Sequence, residues 1–170
     1  AETIHDAQTL LVVALAAQPG KLEEATKLLS ESGGSAQQQL TSLLALVRLM
    51  KRATGDLKPA LGGLVLEAIK KMGPALRDLR PAEKVHVDLA FVEATAAKQG
   101  AAEGEKAFVA LVKKHANSAV VQEAYAQFLT DGAKGEQGGT WKTRALDQWR
   151  ILGSRSPPRS ERWYRAKYYT

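Results

Sequence analysis

Residues 24–29 read Glu-Ala-Thr-Lys-Leu-Leu, and three later segments repeat the pattern: Glu-Ala-Ile-Lys-Lys-Met at 67–72, Lys-Ala-Phe-Val-Ala-Leu at 106–111 and Arg-Ala-Leu-Asp-Gln-Trp at 144–149. In each segment an alanine stands four residues before a large apolar residue, so both lie on one helix face. The alanines are 43, 39 and 38 residues apart. A small residue lets helices approach closely, and a large one fills the space a turn later. The pattern predicts the second helices of four helical hairpins, with these alanines buried at helix contacts: Ala25, Ala68, Ala107 and Ala145.

Around these segments, apolar residues recur with the period of a helix, and glycine or proline interrupts them at intervals. The spacing predicts hairpins over residues 3–31, 35–72, 81–115 and 118–153, followed by a final helix over 159–170. One hairpin cannot bury its apolar face alone, so we expect the hairpins to stack as a single all-α repeat domain over 1–170.

Local signals refine the helix boundaries. Ser35 with Gln38 predicts a capping box, and Pro81 predicts a helix start. Gly62 and Gly63 lie inside the fourth helix, where they predict either tight packing or a kink. Residues 131–139 contain four glycines and are predicted to form a flexible loop. The periodicity of the first helix predicts an inner face of Ile4, Ala7, Leu11, Ala14 and Leu15.

The composition supports an all-helical fold. The chain has 170 residues, of which 28 are alanine and 22 leucine, whereas valine and isoleucine together number 14. Alanine and leucine favour helices, and β-branched residues favour strands, so a β-sandwich or barrel is disfavoured. Cysteine is absent, which excludes disulfides, thiolate metal sites and thiol catalysis. No apolar run approaches the roughly 20 residues of a membrane span.

The segments also resemble a known repeat family. Residues 20–25, Gly-Lys-Leu-Glu-Glu-Ala, look like the turn and second-helix start of tetratricopeptide repeats. The stretch from Lys113 to Ala119 resembles that family's exit into the next hairpin, although Ala116 stands where the family prefers proline. The resemblance implies a right-handed α-solenoid whose first helices line a concave, partner-binding groove. HEAT-type repeats have periods near 40 and stay open as an alternative.

Charge and aromatic residues concentrate near the C-terminus. Residues 140–170 hold eight basic and two acidic side chains, while the whole chain has a net charge of +6. The same segment carries all three tryptophans and three of the four tyrosines. Interleaved basic and aromatic residues are typical of surfaces that bind nucleic acid or another anionic partner. The alternative interpretation is that the aromatic residues form helix core and the arginines face solvent. The candidate partner-binding residues are Arg155, Arg159, Arg162, Arg165, Tyr164 and Tyr168.

The final helix has two different faces. Its inner face is predicted to carry Trp163, Ala166 and Tyr169 or Thr170, packed on a stripe of the eighth helix formed by Trp141, Ala145, Trp149 and Leu152. Its other face carries Tyr164 and Tyr168 and is left without a covering helix. We expect either a longer protein or a second copy of the chain to cover this face. In the second case like charges make the homodimer weak, and added salt strengthens it.

Catalytic and cofactor motifs are not apparent. His5, His86 and His115 fall in different hairpins, and no phosphate-binding loop, nucleophile elbow or metal-ligand spacing occurs. We therefore expect no enzyme activity, cofactor or metal. The expected function is a protein–protein interaction scaffold with a protein or peptide partner; the alternative is an anionic partner bound through 140–170, with nucleic acid less favoured. Because the chain lacks a leading methionine, we expect either a mature form after signal removal or a piece of a longer protein; the helical ending favours the piece, and the localisation is unknown.

Overall fold

The computed structural model describes residues 2–18, 20–31, 33–134 and 138–170, with the side chains of residues 2–6 and 30 left aside. These ranges form nine α-helices, one short 3₁₀-helix at Ala75–Asp78 between the fourth and fifth, and no strand. The all-α prediction is confirmed. The α-helices are α1 (Glu2–Ala16), α2 (Leu22–Glu31), α3 (Ala36–Arg52), α4 (Leu57–Lys71), α5 (Pro81–Gln99), α6 (Ala101–Lys114), α7 (Ala119–Gly132), α8 (Gly138–Arg155) and α9 (Glu161–Tyr169).

Helix starts follow the predicted capping chemistry. The Ser35 side chain accepts from the backbone N–H of Gln38 at 3.3 Å, and the Gln38 side chain accepts from the backbone N–H of Ser35 at 2.9 Å. This reciprocal capping box satisfies two donors that would otherwise lack partners at the start of α3. Pro81 is the first residue of α5, where its missing N–H has no cost.

The prediction of a flexible loop over 131–139 is wrong at both ends of this range that the structure describes. α7 continues through Gly132, and α8 already begins at Gly138. The position of Trp141 explains why a glycine extends α7. A Cβ on Gly132 would lie 2.1 Å from the Trp141 ring, so only glycine lets that ring lie against the helix. Packing thus outweighs the low helix propensity of glycine.

The chain divides into two compact units, residues 1–107 and residues 108–170, called unit 1 and unit 2 here. In unit 1, α1 packs against α2 and α3, and α3 packs against α4. α2 also contacts α4, and α5 packs against both α3 and α4. Its core is aliphatic, with fully buried side chains such as Leu43, Leu61 and Val65. The single repeat domain and the right-handed solenoid stay predictions.

A close approach of α4 to α5 explains one glycine of the α4 pair. A Cβ on Gly62 would meet the carbonyl oxygen of Ala94 at 2.9 Å, whereas one on Gly63 would meet nothing within 4 Å. Ala94 itself is fully buried. Of the two alternatives that the sequence allows, tight packing is the one supported at Gly62.

The predicted inner face of α1 is wrong at three of its described residues. Among the described side chains of this helix, Val12 and Ala16 are buried, whereas Ala7 and Ala14 are exposed and Leu11 is 50% exposed. Leu15 is half-buried, and the Ile4 side chain lies outside the described ones. The run from Leu10 to Ala17 is apolar on every side, so its periodicity does not define which face turns inward.

Unit 2 contains an aromatic core. The Phe108 ring stacks on Phe128 at 4.7 Å and on Tyr125 at 5.7 Å between centroids, and Trp141 lies 5.1 Å from Phe128. α7 packs against α8, and α8 against α9. Three of the four repeat alanines are buried as predicted, namely Ala25, Ala68 and Ala145. Ala107 is only half-buried, because Phe108, one residue on, is the side chain turned into the core.

Candidate interaction surface

One side of α9 is held against α8. Ala166 is 1% exposed, and a Cβ on Gly153 of α8 would lie 3.3 Å from the Cβ of Ala166. One turn further along α9, the Tyr169 ring stacks on Trp149 with 4.7 Å between centroids and 17° between planes. Two small residues therefore set the helix spacing, and one ring pair fixes the rotation of α9 about its axis.

The predicted stripe of α8 forms the base of this arrangement. Its members are all buried: Trp141, Ala145, Trp149 and Leu152. The Trp149 indole N–H donates to the Thr130 hydroxyl of α7 at 2.9 Å, so this large side chain is satisfied as well as buried. The ring of Trp141 lies against α7 rather than supporting α9, because it fills the space left by Gly132.

A carboxylate on α7 ties α9 down by a second route, which the sequence did not reveal. Glu123 accepts from the guanidinium Nε of Arg162 at 2.9 Å and from Nη1 of Arg165 at 2.7 Å. Arg165 also pairs with Glu161 one turn earlier. The charge of Glu123 is the main cause of the raised pKa of Arg165. The only signal in the sequence is an acidic residue on α7, which by itself indicates no partner.

The opposite side of α9, called the α9 outer face, consists of Glu161, Tyr164, Arg165, Lys167 and Tyr168. Tyr164 is 57% exposed and Tyr168 is 82% exposed, one helical turn apart. Each ring leans edge-on against an inner neighbour at 5.1 Å, Tyr164 on Trp163 and Tyr168 on Tyr169. The Lys167 ammonium lies 5.6 Å from the centre of the Trp163 ring. These contacts support an exposed aromatic surface edged by positive charge.

The four predicted arginines separate into two pairs. Arg162 and Arg165 are both bound to Glu123. Arg155 ends α8, and Arg159 lies in the turn before α9 with a left-handed φ of 66°; both are exposed and form no ion pair with any described residue. The like-charge repulsion expected from four arginines is therefore reduced, since a carboxylate partly neutralises two of them.

Other kinds of site have little support in the described residues. No group of three or more histidine, aspartate or glutamate side chains among them is placed to hold a metal ion. No described helix is both long enough and apolar enough to cross a membrane. Comparison with protein-family models, with curated proteins and with solved structures found no match to this chain.

Proposed function

We propose that this chain is a non-catalytic helical scaffold that binds a protein or peptide partner through the α9 outer face. The observation that carries the proposal is the exposure of Tyr164 and Tyr168 on a helix whose other side is firmly packed. A tyrosine offers a large apolar ring and a hydroxyl with few rotatable bonds, which makes it a frequent anchor at protein interfaces. Exposed neighbouring rings of this kind mark interaction surfaces.

The rigidity of α9 adds to this support. Ala166, the stack of Trp149 on Tyr169 and the two ion pairs of Glu123 restrain the helix at three points. A partner would therefore meet the two tyrosines already in position. Binding to a preformed surface loses less conformational entropy than binding to a mobile segment, so a small surface can still give useful affinity.

The scaffold part of the proposal rests on the hairpins. In unit 1, first helices contact first helices, α1 with α3 and α3 with α5, and the second helices α2 and α4 contact each other. This contact pattern fits stacked helical hairpins, which tetratricopeptide-like and HEAT-type repeats share. The alanine spacings of 43, 39 and 38 residues leave a HEAT-type repeat as the alternative.

A second candidate function is the binding of an anionic partner, nucleic acid included, through residues 140–170. The observation in its favour is that Arg155, Arg159 and Lys167 are exposed cations without an ion-pair partner among the described residues. Phosphate contacts would make such binding fall steeply with added salt.

Selection from a random-peptide phage library tests the main proposal. The wild-type chain is the bait, and the double variant Tyr164→Ser/Tyr168→Ser removes phage that bind elsewhere. We expect enriched peptides that bind the wild type and lose about tenfold or more in affinity with the double variant. Failure to enrich any peptide, or equal binding to both proteins, would refute the assignment of this surface.

A further inference from the structure

We infer that the α9 outer face recognises an acidic segment of its partner, an inference that rests on the proposed function. The charge around α9 is unbalanced. Five cations lie within residues 155–170, namely Arg155, Arg159, Arg162, Arg165 and Lys167. Only Glu161 of the same segment and Glu123 of α7 oppose them, which leaves a surplus of three positive charges beside the exposed tyrosines.

The chemistry of the face suits carboxylates. Tyr164 and Tyr168 place two hydroxyl donors one helical turn apart, and the Lys167 ammonium lies on the same helix between them in sequence. A carboxylate accepts from both kinds of donor, and hydrogen bonds to a charged acceptor are about twice as strong as neutral ones. The aliphatic part of a glutamate side chain can meanwhile pack on a tyrosine ring. Acidic residues one turn apart on a partner helix would match this spacing.

A second copy of the chain is a poorer occupant. With 57% and 82% exposure, the two rings offer on the order of 300 Å². A stable dimer buries about 800 Å² on each partner. The same positive surplus would also face itself across a two-fold axis. Self-association through this face is therefore weak, and an acidic partner gains the charge attraction that a second copy would oppose.

Nucleic acid is also less well matched. Strong phosphate binding uses about six to ten contacts to the backbone. Glu123 already pairs with Arg162 and Arg165. Only Arg155, Arg159 and Lys167 are then left near α9 without an ion-pair partner among the described residues. Tyrosine stacking could add to nucleic-acid binding, so an oligonucleotide belongs in the test as a competing ligand.

Fluorescence anisotropy with three labelled probes tests the inference. The probes are a peptide of alternating glutamate and leucine pairs, the same peptide with lysine in place of glutamate, and a poly-thymidine oligonucleotide. We expect the acidic peptide to bind best and the lysine peptide not to bind. The double variant Tyr164→Ser/Tyr168→Ser and the single variant Lys167→Glu should each weaken the acidic peptide about tenfold. Lys113→Glu makes the same charge change at an exposed position of α6 and should leave its affinity nearly unchanged.

The possible results separate the two proposals. If the acidic peptide fails to bind, or binds equally well to the tyrosine double variant, the inference is wrong. If the lysine peptide, or neutral peptides from the phage selection, bind in a tyrosine-dependent way instead, the partner is not acidic but the proposed function stands. If the oligonucleotide binds most tightly and depends on the same residues, both the acidic partner and the protein-binding function are overturned.

Discussion

The two units of this chain pack their short helices with different kinds of side chain. The ten aromatic residues are divided unevenly: unit 2 contains nine, and unit 1 contains only Phe91, which is 49% exposed. The core of unit 1 therefore consists of leucine, valine, alanine and methionine side chains. In unit 2 stacked rings fill the same role, with Phe108 between Tyr125 and Phe128 and with Trp149 against Tyr169.

The difference shows what each unit depends on. Aliphatic helices approach closely where a side chain is small or missing, as at Gly62. The helices of unit 2 pack through large rings. The polar atoms of such rings need hydrogen-bond partners, as in the bond from the Trp149 indole N–H to the Thr130 hydroxyl. Unit 2 also has aromatic side chains that do not belong to its core. Tyr164 and Tyr168 remain on the surface, and these are the residues that carry the proposed function.

The largest effect is expected in unit 2, from Trp149→Ala. This change removes a buried ring, its stack on Tyr169 and its bond to Thr130, and should lower the free energy of unfolding by about 3–5 kcal/mol. Denaturant unfolding followed by the fluorescence of Trp141 and Trp163 measures it, and all tryptophans lie in unit 2. The control Ile151→Ala changes a 38% exposed residue of the same helix and should cost less than about 1 kcal/mol. Equal losses for the two variants would contradict the aromatic core.

The next effect belongs to unit 1 and uses adjacent glycines. Gly62→Ala should lower the free energy of unfolding by about 1–3 kcal/mol, because the new methyl group meets the backbone of α5. Gly63→Ala meets nothing and should raise it by about 0.5–1 kcal/mol, because alanine favours the helix. Far-ultraviolet circular dichroism during urea unfolding compares them. Stabilisation by both variants would show that α4 and α5 are farther apart than described here.

A smaller, pH-dependent effect comes from a mostly buried carboxylate in unit 1. Burial raises the pKa of Glu93, although Lys51 lies 2.7 Å away and opposes the shift. A carboxyl group that holds its proton more tightly when folded favours the folded state at low pH. This contribution to stability is lost as the pH rises from about 4.5, the ordinary pKa of a glutamate, through the raised pKa of Glu93.

Glu93→Gln removes this titration. We expect the variant to match the wild type near pH 4 and to be more stable than the wild type at pH 7. Urea unfolding at both pH values gives the difference. A variant that is less stable than the wild type at pH 7 would mean that the ion pair with Lys51 outweighs the burial of its carboxylate.

The smallest effect is expected from Glu123→Gln in unit 2. The carboxylate bridges two partly exposed arginines, so its loss should lower the free energy of unfolding by about 0.5–1 kcal/mol. Because salt screens exposed ion pairs, the difference from the wild type should shrink at high ionic strength. Fluorescence-detected unfolding at two salt concentrations measures it, and a difference independent of salt would indicate lost packing instead.

The sequence predicts most helices and the packed faces of α8 and α9 well, since their signals are local. The capping box at Ser35, the helix start at Pro81 and the stripe through Trp149 depend on residues within a few turns of one another. Predictions fail where a distant neighbour decides. The run from Leu10 to Ala17 is apolar all round, so only its partners select Val12 and Ala16.

At the candidate surface, too, local spacing predicts some features and long-range contacts decide others. Helical spacing alone separates Tyr164 and Tyr168 from Ala166, and their exposure agrees with it. The binding of Arg162 and Arg165 by Glu123 joins residues about 40 positions apart, which no local pattern indicates. The charge that α9 offers to a partner is therefore a property of the folded unit.

Nitration of tyrosines by tetranitromethane, read residue by residue by mass spectrometry, tests most directly whether α9 leaves Tyr164 and Tyr168 exposed, which is the observation that carries the proposed function. The reagent modifies accessible phenol rings in the intact, dilute protein. Tyr168 and Tyr164, at 82% and 57% exposure, should be modified first, while Tyr125, at 4%, should be spared. Protection of Tyr164 and Tyr168, or modification of Tyr125 at the same rate, would contradict the account.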